Sequence, residues 1–599
     1  MFKKSNKGIS LSLLLCLIFS INVFAKPSIV KIEGTNGTFR LIRNEQPYFI
    51  EGAGGGASKK LLSELGGNSF RTWGSDQAKK ELDEAEKNGL TVMIGFWLGH
   101  AGHGFNYTVE ESLNRTTEAI LKTVREQKDH PALLCWALGN EMELSNPHVE
   151  TMWKYINELA GLVKEIDGNH PVCTVIAEIP EEKVRQIEKL CPNIDFVGIN
   201  TYGGSGSIAE RWRSSGGTKP YVITEFGPPG PGETGRSSFG VPLEMSSTEK
   251  AAWYKQVYGQ TILKDKDKLC LGSYAFIWGW KVEATPTWFG MLLPDKSILG
   301  SAQAMQELWG HSEVTNRCPE IITFNLENDD LINNSEIVEA SCLAEDPDGD
   351  ELTWKWVLIS DNVTYGDTGL GLPMPESFED AIIDGQGTNK VKVKFPGGSK
   401  YRLYAYCFDG NGNAAYANRP VRVQGTAFKI KLPEESVPFP VYTNGTFNVW
   451  FPSGYIGNAG ALSLDGHFKL ESGSENKCIS VSYTDSNGWA GVFWQNPPND
   501  WGEHPGGRNL TKAKKLVFSA RGKEGGEKVV FFMGGITGKP YSDSDKAGLE
   551  IITLSKDWTL YTIPLEDLDL THIKTAFGFT LAAENKPIVF YLDNINFMP

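Results

Sequence analysis

Ala132-Leu-Leu-Cys-Trp-Ala-Leu-Gly-Asn-Glu141 decides how this chain is read. Asp129-His-Pro precedes it and a polar loop follows, so the apolar run has the bounds of one buried strand. A buried parallel strand carries no charge along its length, and this one ends on Gly139-Asn140-Glu141. Barrel enzymes place their chemistry at that C-terminal end. Lys219-Pro-Tyr-Val-Ile-Thr-Glu-Phe-Gly227 repeats the pattern, a short apolar strand that closes on Glu225.

Outward from these two stretches, strand-length apolar runs alternate with charged stretches of helical spacing from Tyr48 to about Gly310. The expected strands are Tyr48–Ala53, Ser69–Trp73, Leu90–Trp97, Ala132–Gly139, Val172–Ile176, Ile194–Asn200, Tyr221–Thr224 and Leu271–Trp278. Helical spacing fills the gaps, as in Asp76–Asn88, Val109–Lys128, Glu150–Ile166, Pro180–Leu190 and Glu249–Leu263. Eight such units over roughly 260 residues match a (β/α)8 barrel. A doubly wound open sheet is the rival. Gly52-Ala-Gly-Gly-Gly-Ala57 lacks the ribose-binding acid at the spacing a nucleotide fold needs, so it is read as a tight turn at the mouth of the first strand.

The texture changes at Arg317-Cys-Pro-Glu320. Short alternating strands with turn chemistry run to about Gln424 and predict an immunoglobulin-like β-sandwich. Asp346-Pro-Asp-Gly-Asp350 reads first as a charged turn; structural calcium on Asp346, Asp348 and Asp350 is the other reading. After Gln424-Gly-Thr426 a third, all-β unit of jelly-roll or lectin size runs to Pro599. Its Trp489, Trp494 and Trp501 are candidates for sugar stacking, against the alternative that they are core. The expected domains are thus a leader at 1–25, a barrel at 26–316, a sandwich at 317–425 and a C-terminal sandwich, a possible carbohydrate-binding module, at 426–599.

The formal charge of −15 over 599 residues argues against nucleic acid as partner and fits a neutral glycan. Lys3, Lys4 and Lys7, an apolar run from Ile9 and Val23-Phe-Ala25 read as a signal peptide cut after Ala25. The expectation is a secreted, periplasmic or cell-surface protein with no transmembrane helix. A lipid anchor at Cys16 is disfavoured, since Leu13-Leu14-Leu15 lack the small residues that such a site prefers. Cys342 and Cys407 could bridge within the middle domain, whereas Cys135, Cys173 and Cys270 read as buried thiols. Oligomeric state is open.

Two carboxylates at one cleft are the minimum for splitting a glycosidic bond. Trp136-Ala-Leu-Gly-Asn-Glu141 on the fourth strand and Ile223-Thr-Glu-Phe-Gly227 on the seventh resemble the clan A retaining glycoside hydrolases. The resemblance covers the barrel, less than half of the chain. It implies Glu141 as general acid/base, Glu225 as nucleophile and Asn140 as holder of the sugar 2-hydroxyl. It likewise implies Arg71, in Phe70-Arg-Thr-Trp73, and Tyr202, in Gly198-Ile-Asn-Thr-Tyr202, as partners of the nucleophile, and Trp278, in Tyr274-Ala-Phe-Ile-Trp278, as a platform under the sugar ring. The donor of a proton to the leaving oxygen must be protonated and the nucleophile ionised; a neighbouring Arg71 favours the latter.

Trp97, His100 and His103, in Gly95-Phe-Trp-Leu-Gly-His-Ala-Gly-His103, fall on the same face as substrate contacts. Two histidines three apart also invite zinc, but no third ligand follows at sensible spacing, so no metal and no cofactor is expected at the cleft. Trp73, Trp280 and Trp288 are further stacking candidates, and His170 lies at the opposite end of the barrel. The short first-strand loop, Arg71-Thr-Trp73 and the appended sandwiches look like bacterial barrel enzymes acting on β-1,3-glucans, which implies a neutral β-glucan substrate. Barrels of β-galactosidase, β-glucuronidase and β-mannosidase type look similar but commonly carry their sandwiches before the barrel. A transglycosylase on the same glucan and a non-catalytic glycan-binding protein stay open, as does endo against exo attack.

Overall fold

The structure, a computed structural model, describes residues 26–35, 37–101, 105–144, 146–361, 374–425, 432–470, 476–502, 506–539 and 541–599. The expected leader and His103 lie outside the described residues.

A three-stranded antiparallel sheet, β1 (Val30–Thr35), β2 (Thr38–Arg43) and β3 (Gln46–Tyr48), opens the described chain. The strand β4 (Ile50–Gly55) then begins an alternation with helices: α1 (Lys59–Glu64), β5 (Ser69–Arg71), α2 (Ala78–Lys87), β6 (Thr91–Phe96), α3 (Glu110–Gln127), β7 (Leu133–Leu138), α4 (Val149–Ile166), β8 (Val172–Ala177), α5 (Glu181–Leu190), β9 (Phe196–Thr201), α6 (Ile208–Ser214) and β10 (Tyr221–Phe226). Next, α7 (Ser247–Val257) passes through a π-helical turn into α8 (Leu263–Asp265), β11 (Cys270–Trp278) follows, and α9 (Gly300–Trp309) ends the unit. Strands β4 to β11 close into a parallel barrel, so the eight expected strands are the eight staves. The Gly52–Ala57 run is no turn: it stays in strand to Gly55.

The helices bury one face each. In α4, Met152, Ile156, Leu159 and Val163 recur at helical spacing and all are buried against the barrel. Truncating one such side chain costs about 2–5 kcal/mol. A second cluster fills the barrel interior with Met93, Leu134, Cys135, Cys173, Val175, Phe196, Val222 and Leu271, and Val30 and Leu41 of the opening sheet plug its lower end. There Asp167 accepts from Trp136 Nε1 and bonds His170 Nδ1, both at 2.8 Å, which makes His170 a structural residue far from the mouth.

Two antiparallel sandwiches follow. The first pairs a sheet of Glu320–Leu326, Ile337–Glu345, Lys390–Lys394 and Ile382–Asp384 with one built on Thr353–Ser360, Ser399–Phe408 and Asn413–Gln424. Barrel residues Ile298 and Leu299 join this second sheet beside Asn413 and Ala414. Cys342 and Cys407 are buried free thiols, not a bridge, and burial pushes each up to about 12. Asp348 does not join a calcium cluster; its carboxylate is bonded to Arg317 at 2.7 Å. Asp346 instead accepts from the Asp348 and Asp350 backbone N–H groups, which is the charged turn. Carboxylate oxygens of Asp346, Asp350 and Asp409 lie within 4.8 Å of one another, and this is the only cluster of possible metal ligands among the described residues.

The C-terminal sandwich, from Phe439–Thr443 to Ile588–Met598, has sheets of seven and six strands. It docks on α3 through Arg115, which pairs with Asp465 at 2.8 Å and lies 4.0 Å from the Phe468 ring. Trp494 is fully buried between Phe577 and Phe579, so it is core and not a sugar platform. Its strand alternates in-and-out, which places Trp489 and Phe493 on the face opposite to Trp494. Trp489 is 52% exposed, and Trp501 is half-buried with its ring 5.1 Å from that of Phe493. No helix among the described residues is long and apolar enough to cross a membrane.

Candidate active site

The site assembles at the C-terminal ends of the barrel strands. Glu225 sits on β10, 6% exposed, and three donors hold its carboxylate. Arg71 Nη1 donates to Oε1 at 2.8 Å, Trp73 Nε1 to the same oxygen at 2.7 Å, and Tyr202 Oη to Oε2 at 2.6 Å. The Arg71 guanidinium is itself almost fully buried, so each charge depends on the other. It also reaches the Thr224 carbonyl at 2.8 Å and stacks 4.8 Å from the Trp73 ring. Gly54 makes room for that ring, since a Cβ there would stand 2.8 Å from Trp73 Cη2.

Across the mouth, β7 ends at Leu138 and the chain turns sharply. Gly139 takes φ of 76° and Glu141 φ of 55°. That left-handed φ favours glycine at position 139, and a side chain there would also have to displace the end of Met142, whose Sδ would lie 2.0 Å from it. The turn is pinned by the Glu141 N–H, which donates to the Val175 carbonyl at 2.9 Å. Asn140 Oδ1 accepts from Arg71 Nη2 at 2.6 Å and Asn200 Nδ2 at 3.1 Å. That leaves its Nδ2 as the part of the amide to offer a sugar hydroxyl. Asn200 Nδ2 also donates to Glu141 Oε1 at 2.8 Å, and Thr224 Oγ1 fixes the Asn200 amide by donating to its Oδ1 at 2.7 Å. The two carboxylates are thus tied through Arg71, Asn140 and Asn200.

Tyr202 is held neutral. Burial pushes its hydroxyl well above the ordinary tyrosine value, and the charges of Glu225, Glu283 and Glu141 push it the same way. It therefore remains a hydrogen-bond donor to Glu225 over the whole physiological range.

The structure brings together Arg71, Trp73, Asn140, Glu141, Tyr202 and Glu225 of the expected set. Trp278 is a correction: it is fully buried and its indole donates to the Ser58 carbonyl at 3.0 Å. The pairing of β11 with β4 shifts register between Phe276 and Trp278, and Trp278 packs into the core between the barrel and its helices rather than into the mouth. Phe276 takes the wall position instead, with edge contacts to Trp73 at 5.9 Å and Tyr202 at 5.8 Å. Phe289 closes the same cluster at 5.4 Å from Phe276. Trp288 is buried, bonded to the Pro229 carbonyl at 3.0 Å, while Trp280 is 44% exposed.

On the third-strand loop, Trp97 is 46% exposed and stacks on His100, ring centroids 5.1 Å apart. His100 itself is buried. Asn200 and Phe276 were not among the expected site residues. The Asn200 signal was present as a polar residue at the C-terminal end of an apolar strand, two residues before Tyr202.

Residues 58–262 match the family described as Glycosyl hydrolases family 2, TIM barrel domain, and residues 440–599 match Carbohydrate binding domain 30. The barrel segment is therefore similar to that family's barrel domain, and the C-terminal unit to that carbohydrate-binding domain. Curated relatives include a beta-glucuronidase of Sus scrofa, 26% identical over 181 residues, which are 28% of this chain and 26% of that one. A beta-glucuronidase of Paenibacillus borealis is 24% identical over 237 residues, 33% of this chain and 37% of that one. The chain thus spans only about a quarter to two fifths of the length of these relatives. Among solved structures, the beta-D-glucuronidase of Dictyoglomus thermophilum aligns at TM-score 0.38 with 18% identity over 48% of this chain and 54% of that one. A Bacteroides uniformis beta-glucuronidase aligns at TM-score 0.38 with 12% identity over 94% of this chain and 67% of that one.

Proposed function

We propose that the protein is an exported retaining β-glycoside hydrolase that acts on a neutral β-linked glucan. The observation that carries the reaction class is Glu225, a buried carboxylate gripped by Arg71, Trp73 and Tyr202 across the mouth from Glu141. Three donors fix one carboxylate for attack, whereas Glu141 sits on a turn at the half-exposed rim, where a leaving group and then water can reach it. In the first half-reaction Glu225 attacks the anomeric carbon while Glu141 protonates the departing oxygen. Glu141, left as a carboxylate by that step, then accepts a proton from water, and the water oxygen attacks the anomeric carbon, breaking the ester to Glu225 and releasing the sugar with its configuration retained. A sugar acceptor in place of water would give transfer on the same machinery.

The choice of a neutral sugar rests on the wall of the site. Phe276, Phe289, Trp288 and Ala284 form an apolar cluster with Trp73 and Tyr202, and the Arg71 charge is already matched by Glu225. A β-glucuronide is the second reading, favoured by the names of the curated relatives. Chromatography of products from laminarin, other β-glucans, galactan, mannan, xylan and an aryl β-glucuronide tests both. Gluco-oligosaccharides support the first reading, and turnover of the glucuronide alone replaces it with the second. No product from any of them by folded protein moves the chain to a glycan-binding role.

A further inference from the structure

Cations at the ends of the barrel strands come with carboxylates. Arg71 is bonded to Glu225, Lys183 to Glu143, Arg211 to Glu178 and Lys281 to Glu283. Besides the Arg71–Glu225 pair, which belongs to the nucleophile itself, the Lys281–Glu283 pair stands beside the wall where a sugar would rest. Lys281 Nζ is 6.0 Å from the centre of the Phe276 ring, whose edges meet Trp73 and Tyr202, two of the donors to Glu225. Glu283 Oε2 holds that ammonium at 2.8 Å.

The pair is built into the fold. Glu283 and Thr285 exchange backbone hydrogen bonds of 3.1 and 2.7 Å around Ala284, which takes φ of 62°. Thr285 Oγ1 is anchored in turn to buried Glu244 at 2.7 Å. Neither side chain is solvent-flooded: Lys281 is 19% and Glu283 38% exposed. The Glu283 charge also reaches the Tyr202 hydroxyl.

An ammonium beside the sugar wall would bind a uronate carboxylate if it were unpaired. Held by Glu283, it presents no net charge, and Glu283 itself repels an anionic sugar. We infer that Glu283, by neutralising Lys281 at the strand-end wall beside Phe276, sets the selectivity of the site for neutral over uronic-acid sugars. This rests on the hydrolase reading above, and Glu283 acts here as a positioning residue through Lys281.

The test compares wild type, Glu283→Gln, Lys281→Met and the double variant on 4-nitrophenyl β-glucuronide and 4-nitrophenyl β-glucoside, with melting temperatures recorded for each. The expected result is a rise of roughly tenfold or more in the glucuronide-to-glucoside ratio of kcat/KM for Glu283→Gln, abolished in the double variant. A change in packing alone would lower both substrates together and leave the ratio fixed, which overturns the inference. So does a wild type that prefers the glucuronide and loses that preference in Lys281→Met, because Lys281 would then be an open uronate ligand. Where neither aryl glycoside is turned over, the same ratio is read from saturation-transfer NMR of D-glucuronate against D-glucose. An unchanged binding ratio again overturns the inference, whereas loss of turnover with a shifted binding ratio counts against the hydrolase reading alone.

Discussion

Arg71 Nη1 stands 2.8 Å from Glu225 Oε1, and the same guanidinium reaches Asn140 Oδ1 at 2.6 Å. One buried cation therefore fixes both the Glu225 carboxylate and the Asn140 amide beside Glu141. Arg71→Gln leaves Glu225 buried without its counter-charge, and breaking such a pair costs about 3–5 kcal/mol. The expected outcome is a lower melting temperature and a kcat reduced roughly 10²–10³-fold. Wild-type turnover in the variant would remove Arg71 from the account.

Tyr202 donates to Glu225 Oε2 at 2.6 Å and is kept neutral first by burial, then by the surrounding carboxylates. Its proton stays on well beyond the ordinary tyrosine range, so it contributes no alkaline limb. Tyr202→Phe is expected to lower kcat at every pH while leaving the limbs of the pH–rate profile where they were. A limb that disappears in the variant would show that Tyr202 titrates.

Glu244 is fully enclosed where the barrel meets the middle sandwich. It accepts from Lys250 Nζ at 2.6 Å and from Thr285 and Thr287 hydroxyls at 2.7 Å, with the Tyr416 hydroxyl at 3.2 Å. Burial alone would raise its carboxyl, but Lys250 and Arg402 outweigh burial and hold it below the usual range. A depressed folded value stabilises above the unfolded value, roughly pH 4.3, and the contribution is lost as pH falls through the folded value. Glu244→Gln should therefore cost about 3–5 kcal/mol at neutral pH, by stranding Lys250, and much less near pH 3. Equal losses in urea melts at both pH values would contradict this.

Trp489 and Trp494 share a strand but face opposite ways. Trp494→Ala opens a void in the core and should cost about 3–5 kcal/mol. Trp489→Ala should leave stability nearly unchanged and weaken pull-down by insoluble polysaccharide. Equal retention of both variants on the polymer would take sugar binding away from Trp489.

The barrel and its two carboxylates were legible because each depends on a local pattern: a strand-length apolar run and a charge where burial ends, at Glu141 and at Glu225. Arg71 and Tyr202 were legible for the same reason, through the family resemblance of short strand-end motifs. Trp278 was misread because its direction depends on a register shift in β11, and pairing irregularities leave no periodic trace. Trp494 was readable by parity, since it lies five residues from Trp489 and so points to the other face. The opening sheet was also within reach: Gly37, Asn44 and Glu45, all at positive φ, mark two hairpin turns between short alternating segments. Asp348 is different, because its contact with Arg317 follows from the antiparallel pairing of Glu320 with Glu345, which brings together residues distant in sequence and is not fixed by local spacing.

The central claim is that Glu225 attacks and Glu141 donates, and azide rescue of the two alanine variants on an activated aryl β-glycoside tests it most directly. Removal of the nucleophile lets azide enter from the vacated face, so Glu225→Ala should yield the α-glycosyl azide. Removal of the acid/base leaves the glycosyl-enzyme to be intercepted, so Glu141→Ala should yield the β-glycosyl azide. Exchanged products would reverse the two roles, and two folded variants that retain wild-type turnover without azide would contradict the account outright.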